Sequence, residues 1–161
     1  MAKLISADAV NRAVTFIESS LTVDRDGPSE GEDALLDIKI ECSEWNTAIA
    51  EGGELMDSSL IFGLDATMKS DSESPRELMR AAMKVIVLSS CPINDGAVEN
   101  SERRLLESAV STAYSTCRDR IYLLSSTSPM GTLLLQDIDV SEIAEDVLRE
   151  ARQGSGRPQR D

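Results

Sequence analysis

The chain of 161 residues predicts a single-domain α+β fold, a small antiparallel sheet packed against about four helices, assembling as a dimer. Three observations carry that expectation. Residues 36–42 and 59–68 alternate apolar and polar side chains with the period of a half-exposed strand. Ser74, Pro75 and Glu77 form a helix-start box ahead of the apolar run to Cys91. Leu106, Val110, Ala113, Cys117 and Ile121 recur at helical spacing down one side of a long segment.

Taken in order, Ser6 suits a cap for a helix over residues 7–21, where Ala9, Val10, Ala13, Val14, Ile17 and Leu21 make an apolar stripe. Residues 24–33 are turn-rich and anionic and read as a connecting loop. In 36–42, Leu36, Ile38, Ile40 and Cys42 share one face. Leu60, Phe62, Leu64, Ala66 and Met68 do so in 59–68, and antiparallel pairing of the two strands is the simplest sheet. Two strands alone are marginal, so a third strand or a second subunit is required.

Residues 74–91 read as the central buried helix, since only Arg80 and Lys84 form a polar edge. A charged residue at Ala82 is then expected to collapse the fold. The β-branched run from Lys84 to Leu88 leaves a strand open as the other reading. A helix is predicted over 101–124, its last part, Ile121 to Leu124, being helix or strand. A hinge at 125–131 leads to a short strand at 132–135 and a small helix at 141–152 ended by Gly154. The domain reading is a core over 1–124, a hinge with short strand and helix over 125–153, and a disordered tail over 154–161.

A net charge of −13 makes the body repel nucleic-acid backbones and anionic membranes. Histidine is absent, which removes Cys/His zinc sites, histidine-based triads and the usual general base at neutral pH. Cys42, Cys91 and Cys117 are odd in number and embedded in apolar segments, as expected of free thiols in a reducing compartment. No segment is apolar enough for a signal peptide or a membrane span, so the expected setting is cytoplasm, of a cell or an infected host, or a virion interior.

No phosphate-cradle, nucleophile-elbow or SxxK pattern occurs, so no catalytic residue, cofactor or metal is assigned and an enzyme is not expected. The acidic loop fails as a calcium loop because Gly27 comes too early and Pro28 falls where a ligand belongs. Paired carboxylates such as Glu41 with Glu44, or Glu142 with Glu145 and Asp146, read as solvated faces. Residues 152–161 hold three arginines and one aspartate, leaving the rest of the chain at −15. Arg152, Arg157 and Arg160 thus either touch RNA or an acidic partner or form a solvated end. Leu106, Val110, Ala113, Cys117 and Ile121 are assigned to the core or, in part, to a homodimer interface completing the sheet.

The acidity, the absence of histidine and the predicted order helix, strand, strand, helix, helix over 7–21, 36–42, 59–68 and 74–91 onward resemble the small dimeric chaperones of type III secretion. The 125–131 hinge and the arginine-bearing tail are also similar to those of the assembly and packaging cofactor of enveloped double-stranded RNA bacteriophages. That resemblance implies a non-enzymatic homodimer acting through protein contacts in a larger particle. The first implies a cytoplasmic chaperone holding an unfolded effector segment.

Overall fold

The computed structural model describes residues 10–27, 29–93 and 98–154, with side chains from Ala13 onward. Four strands precede two helices: β1 (Val10–Val23), β2 (Ala34–Ile49), β3 (Leu55–Ser70), β4 (Glu77–Pro92), α1 (Val98–Ser125) and α2 (Val140–Gly154). All strand pairings are antiparallel in the order β1-β4-β3-β2, so β3 and β4 are interior and β1 and β2 are edges. The chain is therefore α+β with a four-stranded sheet and two helices, which corrects the expected four.

The segment expected as the central helix is the central strand β4. Met79, Ala81, Met83, Val85 and Val87 are buried on its inner face, while Arg80, Ala82, Lys84, Ile86 and Leu88 face outward. Its outer face is itself half apolar, so the period of two is blurred and the sequence resembles a covered helix. Ser74 and Pro75 belong to the β3–β4 loop, where the Ser72 hydroxyl donates to the Ser74 carbonyl at 2.9 Å. Ala82 faces outward between Asp65 of β3 and Ser20 of β1, so the collapse expected of a charge there belongs to Ala81 instead.

From Val10 to Leu21 the segment expected as the first helix lies in β1; its first residues, 7–9, and its proposed cap, Ser6, lie outside the described residues. A bulge between Phe16 and Glu18 makes the inward residues step by three, from Phe16 to Ser19, before Leu21 and Val23 resume a step of two. A step of three inside an alternating strand imitates helical spacing.

On β3, Leu60, Phe62, Leu64 and Ala66 face inward and are buried. The helix α1 lies across β4, β3 and β1 and seals this face with Leu106, Ala109, Val110, Ala113, Cys117 and Ile121. Residues 126–139, expected to include a short strand, instead run beside α1 as irregular chain. There the Tyr114 hydroxyl donates to the Gln136 carbonyl, Arg118 pairs with Asp137 at 2.6 Å, and Leu133 and Leu135 are buried. Asp139 caps α2, its carboxylate accepting from Glu142 N–H at 3.1 Å. An ion pair between Arg103 and Glu145 at 2.8 Å ties α2 to α1.

The acidic β1–β2 loop spans one end of the sheet. Arg76 holds it, pairing with Asp24 at 3.4 Å and donating to the Gly27 carbonyl. Among the described residues no helix is long and apolar enough to cross a membrane.

Candidate peptide-binding groove and sheet edges

The helical layer covers the sheet unevenly. Not one residue of β2 is buried, although Leu36, Ile38, Ile40 and Cys42 point to the same side as the sealed residues of β3. A helix covers about 10 Å of sheet width and strands are about 4.8 Å apart, so a single long helix seals two to three strands. The edge strand β2 is left to α2, which meets it through Ile143 and Val147.

Between them runs a groove of about 210 Å³ floored by Ile40, Cys42, Ile143 and Val147 and rimmed by Asp146 and Glu150. Burial, with the Glu150 and Glu41 carboxylates nearby, pushes the Cys42 thiol up to about 11. Glu150 lines the groove while Glu41 lies on the outer face of the sheet, and a thiol so shifted is a poor nucleophile. At pH 8 its thiolate fraction falls roughly two orders of magnitude below that of an ordinary cysteine. Iodoacetamide labelling of Cys42, followed by intact mass, should be correspondingly slow at pH 8 and rise about tenfold per pH unit up to pH 9.5. Labelling as fast as that of a free peptide thiol would place Cys42 outside this environment.

One end of β2 is shaped by a bulge. The register with β3 jumps from Ser43 to Asn46, and Glu44 takes a φ of 51°, a left-handed conformation that costs a non-glycine residue about 1 kcal/mol. The bulge turns Trp45 onto the core, where its indole N–H donates to Glu102 at 3.3 Å. It also interrupts the β2 edge.

The β1 edge carries two register shifts, between Asn11 and Ala13 and between Phe16 and Glu18, and α1 reaches its inner side. Phe16 and Ile17 are 37% and 51% exposed there, with the Arg120 guanidinium 5.9 Å from the Phe16 ring centre. Tyr122 and Leu123 are exposed on the same end of α1. At one end of the outer sheet face Arg80 donates to Asp65 at 2.5 and 3.1 Å, which holds that carboxyl below its ordinary range.

Leu106, Val110, Ala113, Cys117 and Ile121 are all fully buried against the chain's own sheet. Arg152 lies in the last turn of α2, beside a cleft lined by Arg103, Glu145 and Arg149, while Arg157 and Arg160 lie outside the described residues. Sequence reasoning placed Ile40 and Cys42 on the inward face correctly but had no signal that this face stays open. The exposed pair Phe16 and Ile17 was hidden by the helical reading of β1.

No protein family matches the sequence, and no curated protein is similar to it. Among solved structures the chain is similar to the SecB-like chaperone of Mycobacterium tuberculosis, determined in complex with a ChAD peptide from the HigA1 antitoxin. The two align with a TM-score of 0.54 and 14% identity over 83% of this chain and 92% of that one. A protein of unknown function from Streptococcus agalactiae aligns over 81% of this chain and 98% of that one, at 9% identity and a TM-score of 0.43, too low to carry an argument. The first likeness is one of fold. It agrees with the chaperone side of the sequence resemblances, and nothing comparable supports the bacteriophage cofactor.

Proposed function

We propose that the protein is a chaperone-like binding protein that holds extended polypeptide segments in the groove between β2 and α2, and that it works as a homodimer joined along β1. One observation carries the reading: an apolar strip of sheet, Leu36 to Cys42, that the chain's own helices leave half open. An extended segment laid there buries alternate side chains on Ile40, Cys42, Ile143 and Val147, and the free β2 edge offers backbone groups to a neighbouring strand. The SecB-like chaperone that shares this fold was determined with a peptide bound, which is consistent with a polypeptide ligand here. The three cysteines are free, in keeping with action in a reducing cytoplasm.

The dimer rests on different residues from those of the groove. Leu106, Val110, Ala113, Cys117 and Ile121 serve the protomer's own core, so the second copy is assigned to the β1 edge with Phe16, Ile17, Tyr122 and Leu123. Action by assembly of a larger particle has no observation of its own in this chain.

The groove is tested by fluorescence anisotropy with a labelled peptide of alternating leucine and serine residues ending in lysines. Val147→Lys puts a charge on the groove floor and removes apolar contact worth about 1.5–2 kcal/mol, so the Kd should rise about 10- to 30-fold. The melting temperature should stay within a few degrees, because Val147 is only partly buried. Unchanged affinity in a folded variant would sink the groove.

A further inference from the structure

The helix α2 has a second face, of opposite charge to the one that lines the groove. Ile143, Asp146, Val147 and Glu150 face the β2 groove, whereas Glu145, Leu148, Arg149, Arg152 and Gln153 line a cleft of about 410 Å³ closed on its other side by Arg103 of α1. At about 100° per residue the two sets are centred nearly opposite one another on the helix. We infer that this α1–α2 cleft is a binding site for an acidic polypeptide segment, whose carboxylates meet Arg149 and Arg152 while a neighbouring apolar side chain lies on Leu148. The site is separate from the groove, and either reading can fail without the other.

The first observation is charge. The chain holds 16 lysines and arginines against 29 aspartates and glutamates, yet the cleft is lined by three arginines and one glutamate. That glutamate, Glu145, accepts from Arg103 at 2.8 Å, and Glu107 accepts from the same guanidinium at 3.1 Å. Arg103 is thus a strut between α1 and α2 whose charge is answered within the protein. Arg149 differs, because it pairs with Asp146 through Nη1 at 3.0 Å with its side chain 64% exposed. A guanidinium carries five N–H donors in a fixed fork, so Arg149 keeps donors for a second carboxylate. Arg152 follows about one turn along the same face. The helix dipole favours a cation in the last turn, which accounts for Arg152 but not for three arginines from two elements around one hollow.

The second observation is what else lines the cleft. Arginine forks fit carboxylate and phosphate alike. Leu148 adds an apolar contact and Gln153 an amide that can bond a peptide backbone, and a chain of phosphates uses neither. Glu145 in the wall repels a phosphate dianion more than a carboxylate. A nucleic acid long enough to leave the cleft also meets a chain of net charge −13. The acidic rim of the β2 groove, Asp146 and Glu150, turns an acidic segment away from that site, so the two faces of α2 select different polypeptides. The contacts are exposed, so they are modest and weaken with salt.

The test uses the full chain and Arg149→Ala/Arg152→Ala, which leaves the Arg103 strut in place. Both side chains are exposed, so circular dichroism and melting should match the parent. The probe is a labelled peptide of alternating glutamate and serine residues with one leucine at its centre, read by fluorescence anisotropy at low salt. Its Kd should rise about tenfold in the variant, as expected for two exposed charge pairs, and the same peptide with glutamine for glutamate should not bind. The leucine–serine–lysine groove probe should bind both proteins alike. Equal affinity of the two proteins for the glutamate peptide, or a glutamine version that binds as tightly, would overturn the site. So would equal loss of both probes in the variant, because the substitutions would then have disturbed α2 as a whole. A short single-stranded RNA that binds more tightly than the glutamate peptide and depends on the same two arginines would overturn it in favour of a nucleic-acid contact. A parent protein that binds the glutamate peptide, in the manner predicted, but not the groove probe keeps the cleft and removes the groove reading.

Discussion

Ala81→Asp should leave no folded protein in circular dichroism or thermal melts, whereas Ala82→Lys, one residue along the same strand, should melt within a few degrees of the parent. Ala81 has no exposed surface and sits on the inner face of β4, with Ala66 and Leu21 as its cross-strand partners and Ala113 of α1 in the same core cluster. Small residues at 66, 81 and 113 let helix and sheet approach closely, so an aspartate has no room and no water. The charge would stand among apolar side chains, and burying it or protonating it costs several kcal/mol. A domain of this size holds about 5–15 kcal/mol in total, so the loss with added overpacking consumes most of its stability. Ala82 faces the other way, beside Asp65, and a lysine there meets a carboxylate in solvent. Such a surface change stays within about 0.5 kcal/mol. If both variants melt alike, β4 is not a central strand covered on one face.

The contrast between those neighbours also shows where the sequence misleads. In β2 and β3 the outward positions are clearly polar, from Asp37, Lys39 and Glu41 to Asp65 and Thr67, and the period of two is legible. The same holds at period 3.6 for α1 and α2, each set apart by polar chain. In β4 the outward set includes Ala82, Ile86 and Leu88, so alternation fades, and an S-x-x-E box happens to run from the preceding loop into the strand's first residue, Glu77. The β-branched run Val85-Ile86-Val87 was the better signal, because such side chains pack well on a pleated surface and lose rotamer freedom in a helix. In β1 the misleading feature is the bulge at Ile17, which changes the local step from two to three.

The candidate site was half legible. That Ile40 and Cys42 face inward follows from their alternation with Lys39 and Glu41. That they stay uncovered depends on where α2 lies relative to α1, set by Tyr114 with Gln136, Arg118 with Asp137 and Arg103 with Glu145, contacts between residues 19 to 42 positions apart. Local periodicity carries no information about such pairs. The stripe from Leu106 to Ile121 shows the converse: periodicity found an apolar face but not whether it meets the chain's own sheet or a second copy's.

The proposed dimer turns on that distinction, and Ile17→Lys should convert it to a monomer. The β1 strand of 14 residues spans about 45 Å, and its outer edge pairs with no strand among the described residues. From Ala13 to Val23 its only charge is Glu18, and Phe16 and Ile17 stand exposed, the features of an edge that recruits another strand. Two copies of one edge pair antiparallel across a two-fold axis, each residue meeting its counterpart's surroundings, so one patch suffices for both partners. Exposed Tyr122 and Leu123 at the adjoining end of α1 extend the apolar area beyond the backbone contact. The β2 edge is a poorer candidate, since the left-handed Glu44 and the charges of Asp37, Lys39 and Glu41 break it. An isologous interface places two Ile17 side chains in it, so Ile17→Lys removes apolar burial twice and adds two like charges, at least about 3 kcal/mol. The dimer Kd should weaken by at least about 100-fold. Light scattering after size exclusion should give the mass of two chains for the parent and of one for the variant. Circular dichroism should not change, because Ile17 is 51% exposed in the protomer. A parent that runs as a monomer, or a variant that remains a dimer, would take the second copy away from β1.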